Sequence, residues 1–467
     1  VGALCYDETV IRKASILAAL VLAGGLGCGS DPPRTGHGAV APRPRRTVVW
    51  LDARGLDAPT AERLRLAGVD ELVVQRGTVN LAGEVPVFRM ASAPPVAGSI
   101  PVALALRVEA LRENLGERMA SAVWRAIAAE LGESTPVEVL LDLPEISSGL
   151  ADFVGALSNI SGVPVVPVLT PRQLRVAEAV RTASVARSCV VPIAGTGHPS
   201  LRGVAELSTL TVAEKLEPLA STGVRVRLAI GLHPVAEPAL TDWGDDINPL
   251  TEPENAAVST SSTLDRTFEI KRSLEWSGRQ WSEGEAVAVR WLDASRLHTS
   301  LAEAGRLILP EVAGWDLVPL PPATGGLGLS REALIRYLEG EGPNPEVRVK
   351  VDSAGTRITV SLDNPGPFGS AVSGVGNWLE VSVVSGSLVA ESRGSFDRLV
   401  LGSVENGQWN ARYLGAPSAV RYSEVYLAPG EQLNTGPIRL SSRRAQVHVR
   451  WNLLLSSGEV RAGSLAR

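Results

Sequence analysis

Residues 137–143 read VEVLLDL, pass through the polar segment PEISSG into LADFVGALSN at 150–159, and return to an apolar run, VPVVPVL, at 163–169. The first run is apolar almost throughout and too short for a helix, which marks a strand covered on both faces. In the middle segment Leu150, Phe153, Val154 and Leu157 recur at helical spacing, the apolar stripe of an amphipathic helix. Strand, helix and strand in this order form a crossover unit of a parallel sheet.

The unit repeats in both directions. Strands are expected at 47–52, 71–76, 101–109, 137–143, 163–169, 188–193 and 224–232, with helical patterns at 58–67, 111–131, 150–159, 171–182 and 204–221. An eighth strand is placed at 315–320 rather than 286–292, because a closing helix pattern, 329–338, follows it. This repetition predicts a (β/α)₈ barrel over 47–340 in an α/β chain, in preference to a Rossmann sheet, whose Gly-rich turn after the first strand is missing. Two irregularities stand out. Residues 77–90 read as a hairpin where a second helix is due, and about 241–310 reads as an insertion over the face that carries active sites in such barrels. After Gly340-Glu341-Gly342-Pro343 the period changes to two, with Gly and Pro turns between short runs, so 341–467 is expected to be an all-β sandwich.

The beginning of the chain has a different character. Arg12 and Lys13 precede an apolar run, 14–27, that ends at Cys28 and is too short to span a bilayer. This pattern predicts an export signal over 1–27, cleavage before Cys28 and lipidation of its thiol, with 28–46, rich in Pro, Gly and Arg, as a tether. The localisation implied is the cell envelope, with a lipid anchor in the membrane. On that reading Cys189 is the one cysteine of the folded part, so no internal disulfide is expected, and its apolar surroundings predict a buried, inert thiol. A net charge of −5 and a pI near 5.8 argue against a nucleic-acid surface.

In a barrel of this kind the chemistry sits at strand C-termini. Those positions hold Asp52, Arg76, Arg107, Glu109, Asp142, Glu145, Thr170, His198 and His233. Asp142, Glu145, Glu109 and Asp52 are the candidate catalytic groups, because glycoside hydrolysis needs one carboxyl to protonate the leaving oxygen and a second opposite it. Arg76, Arg107, His233 and Trp243 are the candidate substrate contacts. Trp243, Trp276, Trp281 and Trp291 fall in or near the insertion, where indoles can stack on sugars or fill a core, whereas Trp378, Trp409 and Trp451 are expected to anchor the sandwich core. The five histidines show no metal-binding spacing and there is no serine-hydrolase elbow, so neither a metal nor another cofactor is expected.

Leu141-Asp142-Leu143-Pro144-Glu145, the helix pattern 150–157 behind it and Val48-Val49-Trp50 together resemble a bacterial family of unknown function with a glycoside-hydrolase-like barrel, whose members look like envelope lipoproteins. That family carries an Asp-aromatic-Asp motif at the end of strand four. Here Asp142 matches the first acid, Leu143 replaces the aromatic and Pro144 stands in place of the second acid. The resemblance therefore implies an envelope lipoprotein with a glycan-binding barrel that has lost part of its catalytic pair. Two alternatives remain open: an active glycoside hydrolase in which Glu145 or Glu109 substitutes, and a structural or protein-interaction envelope protein whose sandwich meets a partner.

Overall fold

The computed structural model describes residues 46–51, 56–90, 100–113, 115–131, 135–194, 209–232, 234–237, 248–261, 264–276, 279–305, 312–323, 328–373, 375–411, 415–424, 426–455 and 458–466. The expected signal, Cys28 and the tether up to 45 lie outside them. Among the described residues, no helix is long and apolar enough to cross a membrane.

Eight parallel strands close into a barrel: β1 (Thr47–Leu51), β2 (Glu71–Leu81), β3 (Val102–Leu111), β4 (Val139–Asp142), β5 (Val165–Val168), β6 (Ser188–Ala194), β7 (Arg225–Gly231) and β8 (Val312–Val318). Each strand pairs with the next, and β1 joins both β2 and β8. The eighth strand is therefore the one expected from the closing helix, and Ala286–Arg290 belongs to the insertion. Outside the barrel lie α1 (Ala58–Leu66), α2 (Glu117–Leu131), α3 (Leu150–Ser161), α4 (Ala177–Ala186), α5 (Thr209–Leu216), α6 (Ala294–Gly305) and α7 (Arg331–Leu338).

Strand alternation produces two cores from one set of strands. Val49, Leu72, Leu104, Leu106, Val139, Leu141, Val165, Val191, Leu228 and Leu317 point outward to the helices. Val48, Trp50, Val73, Ala103, Ala105, Leu140, Val166, Val168, Val190, Ala229 and Val318 fill the barrel interior. Ala103 and Ala105 of β3 and Ala229 of β7 share this interior with the bulky Trp50, a mixture of large and small residues that lets a closed barrel fill. Cys189 is fully buried, and burial pushes its thiol up to about 12.

β2 and β3 are longer than the other barrel strands and run on past the rim. Between Gln75 and Thr78 their register shifts, and Gly77 adopts φ 131°, a conformation that disfavours a side chain. Beyond this bulge, Gly77–Asn80 pairs antiparallel with Val87–Met90, forming the expected hairpin and making a three-stranded ribbon on one side of the mouth.

The insertion forms a four-stranded sheet of Val235–Glu237, Ala256–Ser261, Asp265–Ile270 and Ala286–Arg290, with a small hairpin of Leu274–Trp276 and Arg279–Trp281. Its core of Leu250, Phe268, Ile270, Trp276, Trp281, Val287 and Trp291 takes in Tyr426 and Ala428 from the sandwich. Trp276, Trp281 and Trp291 are thus buried packing residues. The Tyr426 hydroxyl donates to buried Asp293 at 3.2 Å and lies against Gly369, where an added Cβ would sit 2.1 Å from it.

The C-terminal region is a β-sandwich of a five-stranded and a six-stranded sheet, whose inward faces share Val360, Leu362, Leu379, Val381, Val420, Tyr422, Ile438 and Val449. Trp451 packs partly against this core as expected. Trp378 and Trp409 do not anchor it. They hold the Arg421 guanidinium between their rings, 4.2 and 4.5 Å from the two centroids. Arg421 and Arg450 both bind Glu380, which is fully buried, so the outer face of this sheet carries a cation–indole stack over a neutralised carboxylate.

Candidate functional site

Charged residues gather at both ends of the barrel, and their chemistry differs. At the floor, Glu71 opens β2, Glu138 directly precedes β4, Arg227 lies near the start of β7 and Asp316 lies within β8. All four are buried. The Arg227 guanidinium is 2.5 Å from Glu138, 3.0 Å from Asp316 and 3.6 Å from Glu71. Arg46, at the end of the expected tether, reaches into the same cluster to bind Glu71 and approaches Glu138 at 3.6 Å. Trp50 Nε1 donates to Asp316 at 2.9 Å.

Three buried carboxyls thus meet the buried Arg227 guanidinium and the partly exposed one of Arg46. Burial, then the neighbouring charge of Glu138, pushes Glu71 up to about 8 despite Arg46 and Arg227. Burial likewise raises Asp316 against the opposing pull of Arg227. Charge at the N-terminal end of a barrel belongs to stability rather than catalysis. Sequence reasoning passed over this cluster. Its signal was a set of isolated charges at inward positions of otherwise apolar strands, such as Glu138 in VEVLLDL.

The mouth holds the candidates named from the sequence. Asp142 ends β4 on the same face as Leu140, so it projects to the barrel axis, half-buried. Arg107 on β3 stands directly opposite it in register. Past the rim, Val79, Leu81 and Val108 face the helix-side core, which turns Thr78 and Arg107 to the other face of the ribbon. Glu109 reaches that same face, accepting from Thr78 Oγ1 at 2.8 Å and lying 3.5 Å from Arg89 of the hairpin. Arg76 sits half-buried in the bulge.

Glu145 is exposed in the turn after β4, beyond Pro144. Thr170 is buried, and its backbone N–H donates to Gln173 Oε1, whose side chain in turn donates to the Leu143 carbonyl. That arrangement fixes the loops after β4 and β5 to one another. Asp52, His198, His233 and Trp243 lie outside the described residues. The structure therefore brings together Asp142, Arg107 and Glu109, and adds Thr78 and Arg89, which strand-end reasoning missed because they lie on the continuation of β2 and in the hairpin. Among the described residues, no group of three metal-binding side chains occurs.

No family model matches this chain, and no curated protein matches it. Solved structures with a related trace include the Bacillus cereus spore cortex-lytic enzyme SleL, at 12% identity over 64% of this chain and 74% of that one, with a TM-score of 0.36. A GH30 endoxylanase from Clostridium papyrosolvens C71 aligns at 9% identity over 87% of this chain and 98% of its own, with a TM-score of 0.24. A xylanase and alpha-amylase inhibitor protein from Scadoxus multiflorus aligns at 10% identity over 42% and 81%, with a TM-score of 0.28. The barrel and the β-sandwich themselves are read from the strand pairing of this chain.

Proposed function

We propose that this chain is a lipid-anchored protein of the cell envelope whose barrel mouth binds a glycan without cleaving it. One observation carries the reading: Asp142 and Arg107 face each other in register at the mouth, and the polar wall continues along the ribbon through Thr78, Glu109 and Arg89. Carboxylates and guanidiniums side by side accept from and donate to vicinal sugar hydroxyls, whereas cleavage needs a carboxyl free to donate a proton. Glu109 is already engaged by Thr78 and Arg89, the second position of the strand-four motif is Pro144, and Glu145 is exposed beyond it. The anchor reading rests on the basic pair, the apolar run and Cys28.

Co-sedimentation with a panel of insoluble envelope and extracellular polysaccharides, with a parallel assay for new reducing ends, tests the proposal. Binding without product release is expected, with affinity lost in Arg107→Ala and Asp142→Ala. No retention on any member of the panel would refute it.

One observation favours the hydrolase reading instead. Glu109 lies two residues beyond Arg107 on the strand next to Asp142, which places the two Cα atoms about 8 Å apart for a ~3.3 Å rise and ~4.8 Å strand spacing. Side chains leaning across that distance can approach the separation of about 6.5–9.5 Å used by inverting enzymes. New reducing ends that vanish in Asp142→Asn would establish that activity in place of simple binding.

A further inference from the structure

An unpaired strand edge invites another strand, and folded proteins blunt such edges with charge, proline, bulges or brevity. Among the described residues, most edges of the sandwich are protected in these ways. Leu388–Ala390, Gln408–Asn410 and Gln432–Asn434 have three residues each. Arg348–Ala354 is longer but carries Arg348, Lys350 and Asp352 along its length. The strand Val460–Ala466 is the exception, with seven residues, VRAGSLA, at the end of the six-stranded sheet. It has no proline, its single charge is Arg461, and the Arg461 guanidinium is tied back to the Pro345 carbonyl at 2.6 Å. Val460 is 54% exposed and Leu465 39%.

The direction of its free backbone groups follows from the ladder. The Leu455 N–H donates to the Glu459 carbonyl, and the register runs Leu454 to Val460 through His448 to Ala466. In an antiparallel ladder the bonded pairs alternate, so residues 461, 463 and 465 bond inward and Val460, Ala462, Ser464 and Ala466 turn their N–H and C=O groups outward.

We propose that Val460–Ala466 is a self-association edge, pairing antiparallel with the same strand of a second copy about a two-fold axis at Gly463. That register sets Val460 against Ala466 and Ala462 against Ser464, so every outward amide meets an outward carbonyl. Arg461 falls opposite Leu465, and no like charges oppose each other. The two sandwiches then share one continuous sheet, an isologous contact closed at two copies.

The test is the mass of the full chain in detergent solution at up to about 100 μM, by light scattering with the detergent contribution subtracted. A dimer is expected. Ser464→Pro removes an outward N–H that, among the described residues, the monomer does not use and should leave the circular dichroism unchanged while abolishing the dimer. Leu465→Lys sets the new lysine opposite the other copy's Arg461 and should weaken association about tenfold, whereas Leu465→Glu should tighten it. A wild-type chain that stays monomeric at about 100 μM overturns the proposal, as does a dimer that persists in Ser464→Pro. Equal effects of lysine and glutamate at 465 overturn the register.

Discussion

Replacing Arg227 with Met tests whether the barrel floor is held by charge compensation. The guanidinium is the common partner of Glu138, Asp316 and Glu71, at 2.5, 3.0 and 3.6 Å, and is itself buried. Burial disfavours its charge, yet Asp316, Glu138 and Glu71 together hold it above its ordinary value. At an effective dielectric of about 20, one contact near 3 Å is worth roughly 5 kcal/mol before desolvation. Removing one partner of a buried pair costs about 3–5 kcal/mol net, because the orphaned charge remains. Methionine fills much of the same volume, so packing loss adds little. The variant is expected to lose about 3–5 kcal/mol in urea unfolding followed by far-UV circular dichroism at pH 8. At pH 5 the loss should shrink, since Glu71 and Asp316, both held above their ordinary values by burial, then take up protons at lower cost. A deficit below about 1 kcal/mol at pH 8, or one equal at both pH values, would refute the reasoning.

Three further outcomes are expected. Glu71 and Glu424 are both held up at about 8, chiefly by burial, so the unfolded chain releases their protons at lower pH than the folded one. The stability they contribute is complete below about 4.5 and is lost as pH rises towards 8, with a slope of at most about 1.4 kcal/mol per pH unit for each group. Glu71→Gln should flatten that slope, and an unchanged pH profile of the urea midpoint would count against it. Gly369→Ala should displace Tyr426 from Asp293, costing about 1–3 kcal/mol and opening the joint between insertion and sandwich to limited proteolysis. Arg421→Ala should cost about 2–4 kcal/mol and red-shift tryptophan emission as Trp378 and Trp409 lose the cation between them; unchanged emission would show that the stack is not maintained in solution.

The barrel was legible because a parallel strand declares itself locally: VEVLLDL and VPVVPVL need no distant partner to be read. The period change after Gly342 and the hairpin at 77–90 were visible for the same reason. What sequence reading missed depends on residues far apart in the chain. Glu71, Glu138, Arg227 and Asp316 each look like a stray charge until closure of the barrel brings them together. Trp378 and Trp409 resembled core anchors because tryptophan usually is one, but strand parity with Glu380 and the fold of the 405–410 turn put them over Arg421. Of the mouth, Asp142, Arg107 and Glu109 followed from the strand-end rule, whereas Thr78 and Arg89 depended on how far β2 continues past its bulge.

The shared core of insertion and sandwich bears on how the chain is made. The insertion's aromatic residues, up to Trp291, leave the ribosome well before Tyr426 and Ala428, which complete their packing. At about 5–20 residues per second, the interval of roughly 150 residues between Trp276 and Tyr426 lasts on the order of 10 to 30 s. Until Tyr426 and Ala428 follow, Phe268, Trp276 and Trp281 lack their last neighbours, so this segment is the natural client of a holding chaperone wherever the chain folds. A chain terminated before Tyr426 would carry that unfinished surface permanently, and aggregation of such fragments is the outcome to expect.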